Sequence, residues 1–120
     1  MTEGSEELPK FEFNNDVVII SGKSIPFDAK KVWSAFAGLL EIHIQNVGEL
    51  TINFKMDYFN TSSSMYLTEI FKILNANYYK KKIVVNWFYD ERDFSMEDLG
   101  EFHQERAKFE FNMVKKTIKK

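Results

Sequence analysis

A strand, a helix and a second strand follow one another in the middle of the chain, and this succession constrains the fold more than any other feature. Residues 51–60 alternate at period two, which predicts a half-buried strand with inward side chains at Ile52, Phe54, Met56 and Tyr58. Residues 83–89 form a second strand, after a helical pattern at Leu67, Ile70, Phe71, Leu74 and Tyr78. Because such a unit joins parallel strands through a right-handed crossover, the sheet is predicted to be partly parallel.

The N-terminal part of the chain predicts a β-hairpin followed by a helix. Residues 10–20 form the hairpin, with the turn at residues 14–16 and the end of the second strand at residues 21–24. We expect Asp28 to cap the helix and Gly48 to end it. The apolar residues expected to pack around this helix are the staple pair Phe27 and Val32, and the stripe Trp33, Phe36, Leu39, Leu40, Ile44 and Val47.

The C-terminal part of the chain adds a short helix and a last strand. The lysines at 80–82 are expected to close the second helix, and a charged loop is expected at residues 90–95. The pattern then predicts a helix over residues 96–106 and a strand over residues 108–114.

These elements give the order β-β-α-β-α-β-α-β. The fold class is therefore α/β (α+β), with a small mixed sheet of about five strands and helices mainly on one face. A chain of 120 residues has the length of a single domain and is too short for two. We expect that domain at residues 9–115, after a flexible segment at residues 1–8 and before a basic tail at residues 116–120.

Composition excludes several classes of protein. The absence of cysteine excludes disulfides, thiol nucleophiles and cysteine-bound metals. A formal charge of −2 argues against a nucleic-acid partner, which normally requires a basic excess. No apolar run is long enough for a membrane span. We expect a cytoplasmic protein without cofactor, metal or membrane contact, and a monomer or weak homodimer.

The residue types needed for catalysis are sparse. Only two histidines are present, His43 and His103, and each lies alone on a predicted helix. The carboxylates of Asp90, Glu91 and Asp93 follow a strand, where an open α/β sheet often places its ligands, so they could bind Mg²⁺. A solvated, salt-bridged loop is the simpler interpretation. No nucleophile with an adjacent base accompanies them.

A run of hydroxyl residues stands where the alternating strand meets the second helix. The sequence Asn60-Thr61-Ser62-Ser63-Ser64 could supply a helix N-cap, which needs only one such side chain. A helix N-terminus also favours a phosphate, because its free N–H groups and positive dipole end face outward. The residues alone therefore leave capping, anion binding and phosphorylation open.

Three blocks of sequence resemble the SiaC family of bacterial regulatory phosphoproteins. The first comprises residues 52–64 with Tyr66, Leu67, Ile70 and Phe71. The second comprises residues 85–90 with Asp93, Met96, Glu97, Gly100, Glu101 and Phe102. A third, residues 20–24 with Pro26, matches the approach to the first helix. The resemblance spans about residues 15–114 and implies a fold similar to STAS domains.

The resemblance implies a phospho-switch without catalytic activity. The phosphoacceptor is expected at Thr61, with Asn60, Ser62, Ser63 and Ser64 as the switch loop and with Ser62 and Ser63 acting as cap and loop hydroxyls. The implied partners are a cognate kinase, a PP2C-type phosphatase and a downstream protein, expected to be a diguanylate cyclase in cyclic-di-GMP signalling. The expected partner surface comprises Tyr58, Met65, Asp90 and Asp93.

Two other functions stay open. In the first, the chain is a constitutive interaction or dimer adaptor whose hydroxyl run is only a helix cap. In the second, it is a small Mg²⁺-dependent enzyme that uses Asp90, Glu91 and Asp93.

Overall fold

Five strands and three helices follow one another in the order that the sequence predicts. The computed structural model describes residues 8–24 and 29–116, and for Thr61 and Ser62 the backbone alone. The elements are β1 (Pro9–Asn14), β2 (Val17–Ser24), α1 (Ala29–Gln45), β3 (Glu49–Phe59), α2 (Thr61–Asn77), β4 (Lys82–Asp90), α3 (Phe94–Arg106) and β5 (Glu110–Lys116). The expected segment at residues 1–8, apart from Leu8, and the tail beyond Lys116 lie outside the described residues.

The sheet has the order β1-β2-β3-β4-β5. The first pair is antiparallel and the other three pairs are parallel. Each crossover steps to the next strand in the same direction, and right-handed crossovers of this kind place all their helices on one face. Burial agrees, because Phe54 and Trp87 are buried on the helix side whereas Asn53 and Asn86 are only half-buried. The predicted mixed sheet with one covered face is confirmed.

The core lies between this face and the helices. Of the stripe predicted for the second helix, Leu67, Ile70, Phe71 and Leu74 are buried, but Tyr78 is 43% exposed because it lies just past the end of α2. The Phe54 ring lies 5.5 Å from that of Phe71 and 5.2 Å from that of Trp87 between centroids. The largest fully buried side chains are Trp33, Trp87, Phe36, Phe54, Ile20, Leu40, Ile44, Leu50, Ile52, Leu67, Ile70 and Leu74. The burial of these large apolar side chains against one face of the sheet is the main favourable contribution to folding.

The uncovered face carries a ladder of asparagines. Asn86 donates to the Asn53 side-chain oxygen at 2.9 Å and accepts from Asn112 at 3.0 Å. These bonds join β3, β4 and β5 across the solvent side. Beside them Lys55 lies over the Phe88 ring, 5.1 Å from its centroid. In the described part of the chain, no helix is both long and apolar enough to cross a membrane.

A β-bulge near the end of β3 corrects the predicted facing of Tyr58. Gly22 pairs with Met56, but Lys23 pairs with Tyr58, so Asp57 is an extra residue. A bulge shifts every later side chain to the other face. Phe59 consequently packs inward against Trp33 at 5.8 Å, and Tyr58 is 48% exposed. The prediction that Tyr58 points inward with Ile52 is wrong.

The predicted hairpin is confirmed, but its second strand is longer than expected. Asn15 has a φ of 56° in the turn, which is the left-handed conformation that two-residue hairpin turns require. β2 continues to Ser24 because its parallel pairing with β3 extends to the Ser24–Phe59 pair. The strand therefore ends within residues 21–24 as predicted, but it includes all four of them instead of stopping at Ile20.

Several helix predictions also change. Leu39 is 55% exposed, because the buried positions of α1 follow a narrower stripe through Trp33, Phe36, Leu40 and Ile44. The expected cap Asp28 and staple residue Phe27 lie outside the described residues. The second helix ends at Asn77, before the three lysines, and α3 begins at Phe94 instead of Met96. β5 runs from Glu110 through Lys116, one residue past the expected domain end.

The two glycines within helices give a matched test of packing. A Cβ on Gly100 would lie 2.5 Å from the Trp87 ring, whereas one on Gly38 would meet nothing within 4 Å. We expect Gly100→Ala to lower the free energy of unfolding by about 1–3 kcal/mol through overpacking. Gly38→Ala should leave it unchanged or raise it by up to about 1 kcal/mol. Urea denaturation curves measure both, and equal effects would contradict the close approach of α3 to Trp87.

Candidate functional site at the start of helix α2

The hydroxyl run lies at the edge of the sheet where the parallel strands end. β3 stops at Phe59, and the backbone N–H of Asn60 donates to the Ser24 carbonyl at 2.9 Å. Thr61 is then the first residue of α2. Helix α3 begins at the same edge after β4, so the starts of two helices and the ends of the parallel strands share this side of the molecule.

Asn60 is the N-cap of α2. Its backbone is extended, with φ −81° and ψ 171°, and its side-chain oxygen accepts from the Ser63 N–H at 2.9 Å. The Ser64 N–H donates to the Asn60 carbonyl at 3.0 Å, which starts the helical hydrogen bonding. An asparagine in this role fills the capping position completely. The expectation that the Ser63 hydroxyl acts as a cap is therefore wrong.

Ser63 instead belongs to a buried hydrogen-bonded triad with Ser24 and Trp33. The Trp33 Nε1–H donates to the Ser24 hydroxyl at 2.9 Å, and the Ser24 hydroxyl donates to the Ser63 oxygen at 2.6 Å. Both serines are fully buried. Buried polar groups cost free energy unless they are paired, so the triad fixes the first turn of α2 to β2 and α1.

Two of the expected partner residues, Tyr58 and Met65, flank the start of α2 in sequence and are exposed. Met65 is 66% exposed on the second turn of α2, and Tyr58 is on the solvent side of the bulge. Phe94 is 70% exposed at the start of α3. It was not among the predicted site residues, because the charge pattern predicts a loop at residues 90–95. Asp93 followed by a helical pattern is the cap signal that could have placed Phe94 on a helix.

Asp90 and Asp93 shape the loop between β4 and α3. The Asp90 carboxylate accepts from the Arg92 N–H at 2.8 Å. The Asp93 carboxylate caps α3 by accepting from the Met96 N–H at 3.0 Å. Both line an open cleft of about 410 Å³ with Met56, Asp57, Arg92 and Lys116. Among the described residues, no three histidine or acidic side chains are close enough to hold a metal ion.

Comparison with known proteins identifies the group to which the chain is related. The model of the family described as "SiaC family regulatory phosphoprotein" matches residues 2–116, which is nearly the whole chain. The chain belongs to the SiaC family. No curated protein matches it significantly.

Solved structures of a SiaC protein share the fold. SiaC of Pseudomonas aeruginosa superposes with a TM-score of 0.85 at 19% identity, covering 96% of each chain. The structure described as apo-SiaC from the same organism gives 0.84 at 19% identity, covering 94% of this chain and 95% of that one. A chain of the structure of diguanylate cyclase SiaD in complex with its activator SiaC, also from Pseudomonas aeruginosa, gives 0.84 at 19% identity, covering 93% and 95%.

The histidines of this SiaC family member lie away from the start of α2. His43 contacts the Asn15 carbonyl at the opposite end of the sheet. His103 is 4% exposed, and its ring lies 4.5 Å from that of Phe71 between centroids. Burial, with a smaller effect of the Arg106 charge, lowers the pKa of His103 to about 4. At neutral pH His103 is therefore an uncharged core side chain.

The triad gives a prediction about stability. Ser24→Ala removes the acceptor of the buried Trp33 N–H, so we expect it to lower the free energy of unfolding by about 1–3 kcal/mol. Ser63→Ala keeps the Trp33–Ser24 bond and should cost less, about 1 kcal/mol. The exposed Ser34 of α1 supplies a control, because Ser34→Ala should change stability by less than about 0.5 kcal/mol. Three equal denaturation midpoints would contradict the triad.

His103 gives a prediction about pH. Its folded pKa of about 4 is below the unfolded value of about 6.5, so the unfolded chain binds more protons between these limits. The stabilisation is complete above about pH 6.5 and declines as the pH falls towards 4, by up to about 3 kcal/mol. His103→Phe should remove this part of the decline. Urea denaturation at several pH values measures it, and identical slopes in both proteins would contradict the burial of a neutral ring.

Proposed function

We propose that the chain is a non-catalytic regulator whose binding to a diguanylate cyclase is switched by phosphorylation of Thr61. A cognate kinase adds the phosphate and a PP2C-type phosphatase removes it, in the cytoplasm. The unphosphorylated form binds and activates the cyclase. The family membership supports a regulatory phosphoprotein, and the relative of similar fold is described as the activator of the diguanylate cyclase SiaD.

The observation that carries the choice of Thr61 is its position directly after the cap. Asn60 caps α2 and Ser63 is buried in the triad, so Ser63 is a poor kinase substrate. Thr61 is the first helical residue, where unbonded N–H groups and the positive end of the helix dipole favour a phosphate. The first turn of α2 contains no acidic residue that would oppose the added charge.

The partner surface that we propose is apolar and lies beside this position. Tyr58, Met65 and Phe94 are its exposed anchors, and Asp90 and Asp93 form its acidic margin. A phosphate adds about −1.5 to −2 charges and three acceptor oxygens. A partner packed over the unmodified hydroxyl would have to desolvate that charge, and a loss of about 3 kcal/mol weakens binding more than a hundredfold.

The hydrogen bonds of the acidic loop support a role without catalysis. The Asp90 and Asp93 carboxylates accept from backbone N–H groups of their own loop and helix, which is a structural function. Neither is paired with a base or a nucleophile in the described hydrogen bonds. The enzyme alternative therefore lacks the constellation that acyl or phosphoryl transfer requires.

Phosphorylation of the purified protein tests the acceptor. After incubation with the kinase and ATP, site-localised mass spectrometry should find phosphate on Thr61. Thr61→Ala should abolish it while keeping the circular dichroism spectrum and the affinity for the cyclase. Ser62→Ala and Ser64→Ala are the matched controls and should still be phosphorylated. Phosphate on a serine of Thr61→Ala at the normal rate would contradict the assignment.

Binding of the cyclase tests the switch itself. Phosphorylated protein should bind at least about a hundredfold more weakly than the unmodified form. Thr61→Asp should lower affinity less, because one carboxylate has about half the charge of a phosphate and fewer acceptors. If the kinase modifies no site and binding is constant, the adaptor alternative is the better description.

A further inference from the structure

β1 is an edge strand, and the directions of its outward backbone groups follow from its pairing with β2. Within residues 8–24 and 29–116, β1 pairs with β2 and with no other strand. The two-residue turn makes Asn14–Val17 a hydrogen-bonded pair, and such pairs alternate along an antiparallel ladder. The N–H and C=O groups of Phe11 and Phe13 therefore point outward from the sheet. An edge of this kind is a template for a further strand.

Charges of opposite sign lie two residues apart on the solvent side of this edge. Lys10 and Glu12 share the uncovered face of the sheet, with 3.8 Å between their charged groups and about half of each side chain exposed. If a second β1 paired in antiparallel fashion with Phe11 opposite Phe11, each Lys10 would face a Glu12 of the other copy. Opposite charges at facing positions stabilise a strand pair.

The helix side of the same edge is apolar. Phe11 stacks on Phe36, with centroids 4.4 Å apart, and Phe13 is 36% exposed at the margin. On the neighbouring helix α1, Leu39 is 55% and Ile42 is 64% exposed. Large apolar side chains exposed together beside an open strand edge are typical of an interface.

We propose that β1 is a docking edge for a second copy of this chain. The two β1 strands pair antiparallel about a twofold axis at Phe11, which extends the sheet to ten strands and keeps all the helices on one face. Lys10 of each copy would face Glu12 of the other, and this charge complementarity favours a second copy of the chain over an unrelated strand. The pairing goes beyond the proposed switch and does not involve the start of α2.

The dimer is expected to be weak. A stable interface usually buries about 800 Å² on each partner, which is more than one short strand and two helical side chains supply. Pro9 also lacks the N–H that would extend the ladder. We therefore expect a dissociation constant above about 1 µM, weaker than the 10⁻⁷–10⁻¹⁰ M of antibody–antigen complexes with interfaces of standard size.

Variants with reversed charges test the register of this pairing. Their dimerisation is measured by sedimentation velocity over about 5–500 µM protein. Glu12→Lys and Lys10→Glu should each weaken dimerisation at least tenfold, because each places like charges opposite one another. The double variant Lys10→Glu/Glu12→Lys should restore the wild-type constant within about threefold. Glu110→Lys on β5, the other edge of the sheet, is the matched control and should leave the constant unchanged.

Each of the other outcomes overturns the proposal. A wild-type protein that remains monomeric throughout this range has no such edge contact. A dimer that is insensitive to both single charge changes uses another surface. Disruption by Glu110→Lys would assign the contact to β5. The circular dichroism of every variant should match the wild type, since all three residues are exposed, and the result is independent of whether Thr61 is phosphorylated.

Discussion

Each crossover carries the chain from one parallel strand to its immediate neighbour, always in the same direction, and its right-handedness places every helix on one face. One face of the sheet therefore packs against the aromatic core, and the other face is in contact with water. The uncovered side is closed by the ladder of Asn53, Asn86 and Asn112 instead of by a second helical layer. The same constraint places the helix starts at the ends of the parallel strands, where open α/β sheets commonly bind their ligands.

At the same ends of the strands, buried polar contacts connect the start of α2 to two other elements. Trp33 belongs to α1, Ser24 to β2 and Ser63 to α2, so the bonds of the triad connect three elements within a few ångströms. Asn60 satisfies the helix end independently of them. The cap and the triad thus depend on Asn60 and Ser63, which stand on either side of the position at which we propose phosphorylation.

Alternation and helical spacing in the sequence were sufficient for the element order, the mixed sheet and the buried residues of α2, because each depends on a period that the core enforces. The facing of Tyr58 was not predictable, since one extra residue at Asp57 reverses it without altering the composition of the strand. The exposure of Leu39 was not predictable either, because it depends on how much of the surface of α1 the sheet covers. The sequence alone placed the hydroxyl run at residues 60–64 between a strand and a helix. The hydrogen-bond partners of Ser63 were not predictable, because they come from distant segments that no local pattern specifies.

The triad also links the fluorescence of Trp33 to the start of α2. An indole that donates its N–H to a buried hydroxyl emits differently from one whose N–H meets water, and Trp33 is linked through Ser24 to the first turn of the helix. The other tryptophan, Trp87, donates to the Met96 carbonyl in the first turn of α3. Fraying of the start of α2 thus breaks the hydrogen bonds that lead to Trp33 and leaves the hydrogen bond of Trp87 intact. The fluorescence of Trp33 therefore reports on whether the first turn of α2 is formed.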